Sequence, residues 1–129
     1  MSRFTRFAKG RTHKPGIANK TELRYGDYLE SLRLSGEIEW FRFEGLKLRL
    51  AEATFYTPDY AVMTANGTME CHEVKAGMVD KSGKVHAISE DASRIKIKIA
   101  AEQYPFEFRM AIERPKKAGG GFQVQAVRE

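Results

Sequence analysis

The chain has a single cysteine, Cys71, among its 129 residues. One thiol cannot close an intrachain disulfide, and it rules out a zinc site built on several cysteines. It suits a reducing compartment, so the expected setting is the cytoplasm. Long apolar runs are also missing: none approaches the ~18 residues that a membrane span needs, and no membrane association is expected. The opening "MSRFTRFAKGRTHKPG" is basic but lacks the apolar segment of a secretory signal. Apart from "GGG" at 119–121 there is no low-complexity segment, and no internal repeat. A Ser/His/Asp arrangement and a glycine-rich phosphate loop after a strand are equally lacking, which leaves nothing to suggest a hydrolase triad or a nucleotide fold.

Acid is absent from residues 1–21. This segment holds six of the 22 basic residues (Arg3, Arg6, Lys9, Arg11, Lys14 and Lys20) and none of the 17 acids. The remainder, with 16 basic and 17 acidic residues, is close to neutral, so the net charge of +5 resides in the N-terminal stretch. Residues 1–18 therefore read as a flexible basic arm on a single domain spanning 19–129. A basic arm suits a polyanion such as nucleic acid, although it would equally serve as a solubilising tail. If all six cations met phosphates, log affinity would fall against log salt with a slope of about −5.

The domain opens with "NKTELRYGDYLESLRLSG", which predicts a helix. Asn19 is a natural N-cap with Glu22 three residues on, Gly36 is a natural stop, and Leu23, Gly26, Leu29 and Leu32 form the expected inner face. Strands are expected at 37–43 ("EIEWFRF") and 46–51 ("LKLRLA"), with Trp40, Phe41 and Phe43 in the core. Two more are expected on either side of Asn66-Gly67. Residues 76–88 read as a long polar loop that would contact substrate. The stretch "SEDASRIKIKIAAEQYP" fits either an alternating strand or a helix. Ser89 as cap, Glu90 and Asp91 in the first turn, and Pro105 beyond the end favour helix. Strands at 106–113 and over "FQVQAV" complete the chain. A helix between two strands of one sheet implies parallel pairing there. The expected fold is therefore α/β, a mixed central sheet flanked by helices in the order α-β-β-β-α-β.

Chemistry concentrates in "TFYTPDYAVMTANGTMECHEVK", residues 54–75. With a two-residue Asn66-Gly67 loop, Asp59 would face Val74 and Glu73 would point to the other side of the sheet. With a three-residue loop, Ala65-Asn66-Gly67, in which Gly67 adopts the left-handed conformation, Thr64 pairs with Thr68 and Asp59 lies across from Glu73. Opposed carboxylates destabilise a hairpin unless a cation joins them. The second register thus makes an oxygen-rich site for Mg²⁺, with Mn²⁺ as a substitute, to which the Val74 carbonyl adds a further oxygen. Lys75 shares Glu73's face, where it can orient a water or stabilise developing phosphorane charge. In this register Glu70 faces away, as does His72, which reads as structural.

"PD" at 58–59 followed by "EVK" at 73–75 resembles the P-D-(D/E)-x-K nuclease signature. "NKTE" opening a helix, "TFYTPDY", "EVK" and a helix ending "AEQYP" resemble the phage endonuclease I family of Holliday-junction resolvases, over roughly residues 19–113. The resemblance implies a restriction-endonuclease-like core and a metal-dependent endonuclease that cuts branched double-stranded DNA as a homodimer in the host cytoplasm. It also implies that Glu22 joins Asp59 and Glu73 at the metal, with Lys75 as the catalytic lysine. Glu22 equally reads as the acid of a capping box. Arg94 and Lys98 join the arm as expected DNA contacts. The chain departs from the family pattern in Ala76-Gly77 after the lysine and in its short segment after "RPKK". Two other readings remain: a nuclease of the same fold that cuts linear or damaged DNA, and a non-catalytic nucleic-acid-binding module.

Overall fold

The computed structural model describes residues 16–89 and 91–127. The arm cations Arg3, Arg6, Lys9, Arg11 and Lys14 lie outside the described residues, as does Glu90. Helix α1 spans Lys20–Leu34, followed by strands β1 (Ile38–Phe43), β2 (Leu48–Ala51), β3 (Thr54–Tyr56), β4 (Tyr60–Thr64), β5 (Met69–Val79) and β6 (Val85–Ala87). Helix α2 (Ala92–Gln103), β7 (Glu107–Glu113), a 3₁₀ turn at Lys116–Ala118 and β8 (Phe122–Ala126) complete it. The main sheet runs β1-β4-β5-β7-β8, with β6 pairing the far end of β5; β2 and β3 make a separate two-stranded sheet. β5 and β7 are parallel and the other pairs antiparallel. The fold is the expected mixed α/β class, with more strands than the expected order contained.

The sheet separates two cores. Toward α1 lie Tyr25, Leu29, Ile38, Tyr60, Val62, Val74 and Ala111. Toward α2 and the β2–β3 sheet lie Leu48, Leu50, Tyr56, Cys71, Ile97, Phe108, Met110 and Ile112. Alternation along β5 and β7 divides the residues between the faces: Val74 pairs with Ala111, and Cys71 with Phe108. Burial pushes the Cys71 thiol up to about 12, which makes it an inert core residue.

α1 begins as expected. Asn19 Oδ1 accepts from the Glu22 N–H at 2.8 Å, and Glu22 Oε1 accepts from the Asn19 N–H at 2.9 Å. At the other end Glu37 N–H donates to the Leu32 carbonyl and Gly36 N–H to the Arg33 carbonyl, a Schellman closure that uses Gly36 at φ +86°. The buried stripe differs from the expected one. Glu22, Tyr25 and Leu29 face the sheet, while Leu23 is 57% exposed, because Tyr25 is the side chain with both a surface to bury and a hydroxyl that finds a partner there. Gly26 lies on the inner face, where a Cβ would come within 2.6 Å of the Tyr60 hydroxyl.

Three other expectations are corrected. Residues 76–88 are mostly a β-hairpin rather than a loop: β5 continues to Val79 and pairs with β6 through Gly77–Ala87, Met78–His86 and Val79–Val85. The turn is organised by Asp80, whose Oδ1 accepts from Ser82 N–H, Ser82 Oγ and Lys84 N–H. The N-cap of α2 is Asp91, whose side chain accepts from Ser93 N–H, rather than Ser89. Trp40 is 38% exposed instead of core, whereas Phe41 and Phe43 pack partly buried against the α1-side core.

Candidate functional site

The hairpin between β4 and β5 adopts the three-residue loop. Tyr60, Ala61, Val62 and Met63 pair with His72, Cys71, Glu70 and Met69, Thr64 N–H donates to the Thr68 carbonyl at 2.9 Å, and Gly67 takes φ +89°. One step past the last pair, Asp59 stands across from Glu73. The ladder stops there because the Asp59 carboxylate replaces the main chain, with Oδ2 accepting from the Val74 N–H at 2.8 Å. Pro58, fully buried, fixes the bend before Asp59. Since the N–H and carbonyl of a strand residue leave the same edge, the Val74 carbonyl also lies on the Asp59 side.

Glu22, Asp59 and Glu73 are between 5% and 9% exposed, and with Lys75 they line a cleft of about 870 Å³. Glu22 reaches the site from the first turn of α1, where the Tyr60 hydroxyl also donates to its carbonyl at 2.7 Å; its carboxyl hydrogen bonds Asp59. It serves as both the acid of the capping box and a wall of the cleft. Burial pushes the Asp59 carboxyl up to about 9, reinforced by Glu73 and Glu22. Glu73 is also raised by burial, opposed by the hydrogen bond from Tyr56 and by the charge of Lys75. The Tyr56 hydroxyl donates to Glu73 Oε1 at 2.5 Å. Lys75 Nζ lies 3.7 Å from Glu73 Oε2 but 2.9 and 3.0 Å from the two oxygens of Asp91.

Among the described residues no three of His, Cys, Asp or Glu are grouped as a ready metal cage. The donor set is instead two buried carboxylates and a main-chain carbonyl, with Glu22 behind them. Asp59 Oδ2 is engaged by the Val74 N–H and Glu73 Oε1 by the Tyr56 hydroxyl, while Glu73 Oε2 faces the Lys75 ammonium at 3.7 Å. That composition fits Mg²⁺, which keeps several waters and takes one or two carboxylates. Asp59 is raised first by burial and then by the charges of Glu73 and Glu22, both of which a divalent cation would offset.

Of the expected DNA contacts, Lys98 is exposed and does not line the cleft; Lys96, which was not among them, does. Arg94 is half-buried near the start of α2 and Lys20 is exposed at the start of α1. His86 pairs with Asp80 at 2.6 Å in the hairpin turn. Sequence reasoning missed three side chains that hold the site: Tyr56, Asp91 and Ser93. Tyr56 stood within the "TFYTPDY" stretch, and only its reach to Glu73 was hidden. In comparisons with protein-family models, curated proteins and solved structures, the chain has no significant match. Among the described residues no helix is long and apolar enough to cross a membrane.

Proposed function

We propose that the chain is a divalent-metal-dependent endodeoxyribonuclease that hydrolyses phosphodiester bonds in branched DNA, four-way junctions above all, as a homodimer. The observation that carries this reading is the facing pair Asp59 and Glu73, both buried and both at the cleft, with Lys75 two residues on along the same face. A structural hairpin gains nothing from such a pair, and its cost is of the kind found where function fixes the residues.

Asp59, Glu73 and the Val74 carbonyl would hold Mg²⁺, with Glu22 supporting Asp59. When bound, the ion supplies Lewis-acid polarisation of the phosphate and a more acidic water. The protein's own groups do the rest. Tyr56 fixes the Glu73 carboxylate. Lys75 offers an ammonium to a non-bridging phosphate oxygen, where negative charge grows as the water oxygen bonds to phosphorus and the ester oxygen leaves. Lys96 on the cleft wall adds a second cation for the phosphate backbone.

The test uses a labelled four-way junction and a linear duplex of matched sequence, each incubated with Mg²⁺ or with EDTA. The expected result is Mg²⁺-dependent cutting of the junction, with Glu73→Gln reducing it by about 10²–10⁴-fold. Equal cutting of both substrates would remove the branch selectivity. Binding without cleavage, unchanged in Glu73→Gln, would sink the enzymatic reading altogether.

A further inference from the structure

The ammonium of Lys75 has two carboxylates within range and chooses the more distant in sequence. Both oxygens of Asp91 lie within 3.0 Å of Nζ, against 3.7 Å for Glu73. Because the Lys75 side chain is only 14% exposed, protein partners rather than water set its direction. Asp91 is itself held. It caps α2 from an extended backbone, and its Oδ1 accepts from the Ser93 N–H at 3.1 Å and from Ser93 Oγ at 2.6 Å. The first turn of α2 thereby grips Lys75 of β5 through Asp91, with Ser93 holding Asp91 in place.

We infer that Asp91 is a positioning residue: the α2 cap clamps Lys75 so that its ammonium is an oriented cation facing the cleft. A lysine ammonium has three N–H donors. Two are taken by the Asp91 oxygens, which leaves one for a phosphate oxygen of the substrate. Rigid placement of this kind removes the orientational freedom that a four-carbon side chain otherwise loses only on binding substrate. The substrate part of this inference rests on the nuclease reading; the clamp does not.

Asp91→Asn is the discriminating variant, because asparagine caps a helix as well as aspartate does, so α2 keeps its start while Lys75 loses its charged partner. The expected result on the four-way junction with Mg²⁺ is a kcat reduced about 10–100-fold with KM within about threefold, at an unchanged thermal midpoint. Asp91→Ser, which caps but is too short to reach Lys75, should match it. Trace acetylation with acetic anhydride, read by mass spectrometry, provides a measurement independent of cleavage. Lys75 reactivity relative to surface Lys81 should rise several-fold in Asp91→Asn. If the wild type cuts nothing but this rise is seen, the nuclease reading fails and the clamp stands. Unchanged Lys75 labelling in folded Asp91→Asn, or a kcat at or above wild type, overturns the inference.

Discussion

Strand β5 carries a polar cluster on each face, and the two are built to opposite rules. Toward α1, the Tyr25 hydroxyl and His72 Nδ1 are 2.7 Å apart, His72 Nε2 meets Glu70 Oε1 at 2.8 Å, and Arg109 lies 3.5 Å from Glu70 Oε2. When Nε2–H donates to Glu70, Nδ1 can accept from the Tyr25 hydroxyl, so every member of the chain has a partner. The His72 hydrogen bond holds the Glu70 carboxyl below its usual range, against the opposing effect of burial, with help from the charge of Arg109. Toward α2, Glu73 faces Asp59 with Glu22 behind, and the Asp59 carboxyl is pushed up instead. The same strand, at positions one to three residues apart, thus satisfies its buried polar groups on one face and sets Glu73 against the buried acids of neighbouring segments on the other. Partnered polar groups rigidify a fold, whereas conflicted ones mark a place kept for something that arrives later.

The comparison breaks most visibly at His72. Replacing it with alanine leaves the buried Tyr25 hydroxyl and Glu70 without their shared partner, and should destabilise the protein by about 2–4 kcal/mol in urea unfolding. Cleavage per folded molecule should stay near wild type. A loss of activity with stability unchanged would mean that this face takes part in the chemistry.

Asp59 should show the opposite behaviour. Its folded value of about 9 lies above the ordinary 3.8, so folding favours the protonated form. That contribution is fully present below about pH 4 and is lost as pH rises toward 9. In EDTA the wild type should therefore be more stable at pH 5.5 than at pH 8.5. Asp59→Asn, which keeps an acceptor for the Val74 N–H, should flatten the profile and gain about 2 kcal/mol at pH 8.5. A wild-type profile that rises between these two values would contradict the account of the acidic face. Stability gained on removing an acid is the signature of a site in which fold and function compete.

Much of this was legible in the sequence, for local reasons. Asn19 and Glu22 announce the start of α1 because a capping box depends on residues three apart. The register of the β4–β5 hairpin follows from the loop chemistry around Gly67, and with it the meeting of Asp59 and Glu73. Legibility failed where tertiary contact decides. Gly77 and the polar tip at 80–84 look like loop punctuation, yet Gly77 lies within β5, where a Cβ would come within 2.2 Å of the Glu113 carbonyl oxygen. There glycine records a close approach of backbone rather than a turn. Ser89 and Asp91 are equally good caps by type; Asp91 alone is also drawn into an ion pair with Lys75, which no spacing along α2 reveals. Leu23 lost the inner face of α1 to Tyr25 because the position of the sheet, not the apolar spacing, selects the stripe.

The central claim is that the acidic face awaits a divalent cation, and direct Mn²⁺ binding tests it without any assumption about the substrate. In an electron paramagnetic resonance titration at pH 8, the wild type should take up Mn²⁺, Glu73→Gln and Asp59→Asn should lose that uptake, and His72→Ala should retain it. Uptake that is equal in wild type and Glu73→Gln would contradict the account.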